Sequence, residues 1–562
     1  MKAKPLFLAL LAVSVSACAQ SPVLETPAVP LPPAPQGLTS QVLYQYLLGE
    51  IAGQRGELKL SAEAYADLAG RTRDARVAKR ATEVALYARQ NALAIKNASL
   101  WLELDPASPK ALQTLATLLV GAGRLSEAKP YLNNWIKAGK PAESFLQMHG
   151  LFAKQKDRQV VLDIVSDLAA GYPGLAEARF AVGQAAWQAG QAPRALEAMN
   201  EALRLKPEWE SAALFKAQVL QKAEGDQALL AFLKDYLVAY PAAREVRITY
   251  AKQLARAGNF PESRAQFEFL TRENPENPEG HFAVGLVAMQ ANDLDSAKAS
   301  FTKALELGHP DQASVRVYLG QLAEARGNLE EALTWYKSVE KGRGQYDAQL
   351  RAALVLGKLG RLQEARAWLA GLNPGSDVER LQQVQTEAQL LREARDYEGV
   401  FNVLGKALEK SPESPELLYD RAMAAEKVNR LDALEKDLRK LIKLKPDYAH
   451  AYNALGYTLA DRTNRIPEAL ELLEKALKLE PNDPFILDSM GWALFKAKRY
   501  GEAVDYLRRA HAARPDPEIT AHYGEALWMK GDKEEARKVW NGGLKTHPDN
   551  ESLREVLSRL KP

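Results

Sequence analysis

One cysteine stands in 562 residues, at Cys18, and histidine is nearly as sparse at seven. A lone thiol excludes intramolecular disulfides, so stability has to come from packing. The histidines (His149, His281, His309, His450, His511, His522 and His547) are scattered, and no HExxH, glycine-rich phosphate loop or nucleophile elbow occurs. No metal, cofactor or catalytic constellation is therefore expected. An excess of either charge is missing too. Lys+Arg 74 against Asp+Glu 71 leaves +3, and removing Lys2 and Lys4 with a signal peptide would leave +1. Such balance gives nucleic acid or an anionic membrane surface little to hold. Basic runs such as Arg508-Arg509 and Lys496-Ala497-Lys498-Arg499 read as solvated helix faces.

What is present is a repeat. Gly491, Ala503, Leu507, Ala510 and Pro515 return thirty-three residues later as Gly524, Ala536, Trp540, Gly543 and Pro548. Gly183, Ala195, Met199, Ala202 and Pro207 share the spacing, as do Gly285, Ala297, Phe301, Ala304 and Gly320, Ala332, Tyr336. A period of 33 to 35 residues carrying only helical signals means stacked helix pairs. Small residues sit where two helices cross closely. Leu507, one turn after Ala503, is expected to fill the space between neighbouring units. Pro515 stops the second helix, and turns such as Arg326-Gly327-Asn328 and Lys530-Gly531-Asp532 join the helices of a unit.

These positions resemble the tetratricopeptide-repeat family, with small residues at the eighth, twentieth and twenty-seventh places and proline at the thirty-second. The resemblance implies an all-α, right-handed superhelical solenoid of antiparallel helix pairs. At 34 residues per unit, residues 38–548 hold about fifteen units. Stretches near 144–174 and 345–395 depart too far from the pattern to fix boundaries. In the unit beginning Ala449, an extra turn residue puts Gly456 and Ala469 thirteen apart. Residues 549–562 form a capping helix, with Leu553, Val556, Leu557 and Leu560 on one stripe and Arg554, Glu555 and Arg559 opposite. Repeats fill the chain beyond residue 38, leaving no room for a catalytic domain, so a non-enzyme is expected.

At the amino end, Lys2 and Lys4 precede an apolar run from Leu6 to Val15, too short to span a bilayer, and then Ser16-Ala17-Cys18. Val15-Ser16-Ala17-Cys18 is similar to a bacterial lipobox, with valine where leucine is commoner. The resemblance implies cleavage of residues 1–17 and acylation of Cys18. Several acyl chains anchor a protein where a single one does not. Ala19 in place of aspartate implies, by the same analogy, the periplasmic face of the outer membrane. The competing reading is an ordinary signal peptide with an incidental cysteine. Residues 18–37, rich in proline, read as an extended tether.

On the family pattern, inward-facing residues fall at the second, fifth, ninth and twelfth places of a unit. This selects Asn453 and Tyr457, then Phe485, Asp488, Trp492 and Phe495, then Glu525 and Trp528 as a partner-binding groove of aromatics beside carboxylates. Trp492 is the strongest contact candidate. Filling of the helix-pair core is the competing reading for Trp492, Phe495 and Trp528. The Lys and Asn clamp of chaperone-binding members is missing. A second candidate surface is the first helix, where Leu43, Tyr44, Tyr46, Leu47, Leu48 and Ile51 leave little polar face. It is expected to dock on a protein partner or on a second copy of the chain.

Three segments, 46–56, 455–463 and 486–492, resemble a narrower group: proteobacterial outer-membrane lipoprotein adaptors of a periplasmic carboxyl-terminal processing protease. That resemblance implies a scaffold that binds the protease, raises its activity and delivers cell-wall cross-link hydrolases to it. The alternative is an assembly lipoprotein for exopolysaccharide export or for pilus biogenesis.

Overall fold

The computed structural model describes residues 39–340 and 344–560. The expected signal peptide of residues 1–17, Cys18 and the expected tether lie outside the described residues. Contacts divide the chain into two compact units, Met1–Ala257 and Gly258–Pro562. Among the described residues there are 31 α-helices, α1 to α31 in chain order, and no strand. In the first unit α1 pairs with α2, α3 with α4, α5 with α6, α9 with α10 and α11 with α12, whereas α7 and α8 each pack on α9. In the second they pair from α15 with α16 to α29 with α30, and α31 closes the chain. The array is all-α, a solenoid of stacked helix pairs.

Local sequence explains each helix and its turn. In α27 (Pro484–Lys496), Asp483 caps the start by accepting the N–H groups of Phe485 and Ile486, both at 2.9 Å. Pro484 fills a first-turn position where no N–H is needed. After α27 the chain reverses through Lys498 in the left-handed region (φ 63°), and the Arg499 N–H returns to the Leu494 carbonyl at 2.9 Å. The same turn after α17 (Gln312–Ala325) uses Gly327 (φ 76°), whose hydrogen pays no Cβ penalty there.

The spacing pattern has a different physical cause from the one expected for its bulky position. Leu507 does not chiefly fill space between units; it lies across Gly491 of its own pair. A Cβ on Gly491 would come within 2.5 Å of Leu507 Cγ and 3.2 Å of the Ala503 carbonyl. The same contact joins Gly183 to Met199, Gly285 to Phe301, Gly320 to Tyr336 and Gly524 to Trp540. It also joins Gly49 of α1 (Ser40–Gln54) to Tyr65 of α2 (Leu58–Thr72), a pair the pattern had not singled out. Met199, Phe301, Tyr336, Leu507 and Trp540 are completely buried. Each such side chain contributes about 1.5–3 kcal/mol.

The stretches without clear boundaries prove helical as well. They hold α7 (Pro141–Phe152) and α8 (Arg158–Ala170), then α19 (Gln345–Lys358), α20 (Leu362–Ala370) and α21 (Asp377–Glu393). At the carboxyl end, α31 (Glu551–Leu560) buries Leu553 and Val556 against the last pair. No helix among the described residues is long and apolar enough to cross a membrane.

Gly491→Ala should lower unfolding free energy by about 1–3 kcal/mol through overpacking. Gly491→Ala with Leu507→Ala should cost less than the sum of the two single changes, measured by denaturant melts. Strict additivity would mean that the two side chains do not share this space.

Candidate protein-binding surfaces

The first helices of three successive pairs, α25 (Ala449–Arg462), α27 and α29 (Pro517–Lys530), pack side by side and form one wall. Asn453 and Tyr457 come from α25, Phe485, Asp488, Trp492 and Phe495 from α27, and Glu525 and Trp528 from α29. The wall is tied together by a residue the sequence reading had set aside. His522 of α29 is buried, and its Nδ1 lies 3.1 and 3.0 Å from the two oxygens of Asp488. Its ring stacks on Trp492 at 4.0 Å between centroids and 18° between planes.

Trp492 is therefore part of the wall and not a free contact. It is only 8% exposed, with Phe495 stacked on it at 4.8 Å. Its indole N–H donates to Asp461 Oδ1 at 3.0 Å, and Lys496 Nζ pairs with the same oxygen at 2.9 Å. Asp488 is likewise engaged, by His522. Glu525 is buried at 2% exposure, and Arg559 Nη2 reaches both its oxygens, at 2.7 and 2.6 Å. Trp492, Asp488 and Glu525, expected as contacts, are instead wall residues: the two buried carboxylates are already paired and the buried indole N–H is already hydrogen-bonded. Arg559, expected on the solvated face of the cap, turns out to latch that cap onto α29.

Phe495 and Trp528 turn towards the second helix of their own pair. Phe495 touches Tyr500, with centroids 5.5 Å apart. Trp528 lies 5.9 Å from Trp540, with Lys533 and Arg537 over its ring. What the wall still offers is Phe485, exposed with the Arg514 guanidinium 5.0 Å from its ring, and half-buried Tyr457 and Asn453. The Tyr457 hydroxyl donates towards Glu518 at 3.4 Å, and Asn453 Oδ1 is buried without a partner. Burial, then Glu518, Asp461 and Asp488, raise the Tyr457 pKa well above a free phenol, so it stays a neutral donor.

Burial alone would lower the His522 pKa, but the charge and hydrogen bond of Asp488, with Glu518 and Glu525 nearby, outweigh it and raise it. The carboxylates around His522 thus favour its protonated form, beneath the stacked Trp492 ring. Among the described residues His450, Glu480 and Asp483 place ligand atoms within 4.8 Å of one another. Asp483 is engaged as the α27 cap, however, and His450 faces Glu480 as an ordinary pair at 3.8 Å.

The second surface belongs to the first unit. α1 buries Gly49 and Ala52, half-buries Val42 and Leu48, and leaves its other large apolar residues exposed. Tyr44 is 61% exposed; Leu43, Tyr46, Leu47 and Ile51 are all above two-fifths exposed, and Leu48 is half-buried. The Tyr46 ring meets Tyr65 edge-on at 6.4 Å, and the Tyr65 hydroxyl donates to Glu50.

Comparison with known proteins agrees with this architecture. Tetratricopeptide-repeat models match residues 166–210, 251–297, 285–347 and 419–484, and a second such model matches 494–560. The TPR repeat-containing protein PA4667 of Pseudomonas aeruginosa is 33% identical over 484 residues, 86% of this chain and 82% of that relative. This chain belongs to the tetratricopeptide-repeat family. Among solved structures, a tetratricopeptide repeat protein from Parabacteroides merdae aligns over 50% of this chain and 97% of its own, at 18% identity and TM-score 0.34. A thermophilic TPR protein of Thermus thermophilus covers 39% of this chain and all of its own, at 20% identity and TM-score 0.28. As a tetratricopeptide-repeat protein, the chain is a scaffold for protein–protein interaction.

Two outcomes follow for the wall. Arg559→Ala leaves Glu525 buried without its cation and should cost about 1–3 kcal/mol, read as a lower midpoint in a denaturant melt. For His522, a folded pKa above the unfolded value stabilises fully below about 6.5, and the gain is lost as pH rises through the folded value. The stability gap between wild type and His522→Gln should therefore shrink as pH is raised from about 6 to about 9. A gap that widens with pH would mean that His522 is neutral in its pocket.

Proposed function

We propose that the chain is a non-catalytic, lipid-anchored adaptor at the periplasmic face of the outer membrane. It binds a carboxyl-terminal processing protease and presents protein substrates, cell-wall hydrolases among them. The observation that carries this reading is the uncovered apolar face of α1. Tyr44, Tyr46, Leu47 and Ile51 present large rings and branched side chains at the very start of the array, while the other end is sealed by α31. Rigid aromatics of this kind supply most of the contact energy in protein interfaces. The partner gripped there is the protease.

The reading is further supported by the resemblance of segments 46–56, 455–463 and 486–492 to that adaptor group, and by the lipobox-like Val15-Ser16-Ala17-Cys18. Acylation of Cys18 places the array at the membrane surface through the tether of residues 19–37. Two protein surfaces on one anchored molecule raise the local concentration of enzyme and substrate without any chemistry from the scaffold. The Phe485, Tyr457 and Asn453 patch on the wall, in the other unit, is the place assigned to the substrate.

The test is turnover of a cell-wall cross-link hydrolase by the protease, with and without the purified chain. Acceleration is expected with the wild type. Tyr44→Asp with Leu47→Asp, both on exposed positions, should weaken protease binding at least tenfold, about 1.4 kcal/mol, and remove the acceleration. No acceleration by the wild-type chain would end this reading.

A further inference from the structure

α20 has nine residues, as does α18 (Leu329–Lys337) before it, where α22 (Tyr397–Lys410) and α24 (Leu431–Leu444) after it have fourteen each. Its early end is written into Gly371-Leu372-Asn373-Pro374-Gly375, since proline lacks the N–H that a continuing helix needs. Ser376 then caps α21 by accepting the Glu379 N–H at 3.2 Å, and the Glu379 carboxylate accepts the Gly375 N–H at 2.6 Å. The side chain of Gln383 donates to the Leu369 carbonyl and satisfies one of the freed groups at the end of α20. The shortened helix is thus a finished structure. About one and a half turns of covering helix are missing relative to α22 and α24.

The gap is a cleft of about 620 Å³ between the end of α20, the first half of α21 and α22. Leu381, Val384 and Val403 are half-buried along it, and Val378 stands 68% exposed. The charges around it are uneven. Arg366 is paired with Glu387 at 2.9 Å, and Arg380 is paired with Asp377. Lys406 and Lys410, one turn apart on α22, are exposed and form no ion pair with any described residue. Both acids of the cleft are therefore taken, and two cations are left over.

We propose that this cleft binds an acidic amphipathic helical segment of a protein partner. Its apolar stripe fills the space vacated by the short α20, and its carboxylates meet Lys406 and Lys410. The volume lies in the range of pockets that enclose a ligand of drug size, enough for the apolar side chains of about two helical turns. Carboxylates spaced i, i+4 on the incoming helix match lysines spaced i, i+4 on α22. A cationic segment would meet the unpaired lysines with like charge. A purely apolar segment would gain nothing from them. This site is separate from α1 and from the α25–α29 wall, and the inference does not rest on the protease reading.

The experiment measures fluorescence anisotropy of two labelled, side-chain-stapled helical peptides titrated with the full chain. One carries leucine at i, i+3, i+4 and i+7 with glutamate elsewhere; the other replaces every glutamate by lysine. The acidic peptide should bind saturably and at least tenfold more tightly than the basic one. Lys406→Glu with Lys410→Glu, both surface positions, should reverse that order. Val378→Glu with Val384→Glu should abolish binding of the acidic peptide, and Val378→Glu alone, at an exposed site, should weaken it if the double variant melts early by circular dichroism. The proposal is overturned if the wild type does not prefer the acidic peptide, or if the lysine substitutions leave the preference unchanged.

Discussion

A bulky side chain laid over a glycine sixteen residues earlier is the contact on which this array depends. It removes the one carbon that would hold two helices apart, and fills the gap with a ring or a branched chain. Gly524 beneath Trp540 and Gly320 beneath Tyr336 are its clearest cases. Because the large residue is fully buried, each contact adds hydrophobic stabilisation at the place where it sets helix spacing. In repeat proteins each pair touches only its neighbours, so stability is close to a sum of such local terms. Errors in one pair therefore stay local. That is how α20 can be short while α22 and α24 keep full length.

A second layer of organisation is polar and runs between pairs. Asp488 with His522, and Glu525 with Arg559, lie thirty-four residues apart, one repeat step. Lys358 with Glu324 repeats that separation at 2.8 Å. Where a partner is buried, as Asp488, His522 and Glu525 are, such a pair adds little net stability, but removing the other partner is costly because the remaining charge stays buried. Their consequence here is alignment. Asp488 holds the imidazole on which Trp492 stacks, and what remains outside that stack on the wall is Phe485, Tyr457 and Asn453.

Most of the fold was legible in the sequence, because a glycine, an alanine and a bulky residue recurring at fixed offsets have few mechanical explanations. The pair at Gly49 escaped notice since Ser61 stands where alanine is usual; its hydroxyl donates to the Gly49 carbonyl at 2.6 Å instead. Turn residues such as Lys498, left-handed without being glycine, were also invisible, since tertiary packing overrides their preference. The site was legible only in part. Family places identified which residues line α25, α27 and α29, but not which are consumed by partners on the next helix. His522 could have been found by asking which acid lies one period before it. The exposed face of α1 was legible directly, because Leu43, Tyr44, Tyr46, Leu47 and Ile51 give that helix more apolar positions than one neighbouring face can cover.

The unequal ends of the array carry an energetic asymmetry. At the carboxyl end, α31 is pinned by Leu553 and by the Arg559 latch. At the other end α1 is held mainly by α2 through Gly49 and Ala52, with a further ion pair from Glu50 to Arg80 at 3.7 Å. Among the described residues, opening α1 breaks fewer contacts than opening an interior helix, so its amide hydrogens are expected to exchange early. A partner seated on Tyr44 and Leu47 would add a further interface. Occupancy and local order at this terminus are then one equilibrium, and a ligand that binds the ordered form draws the whole first pair into protection with it.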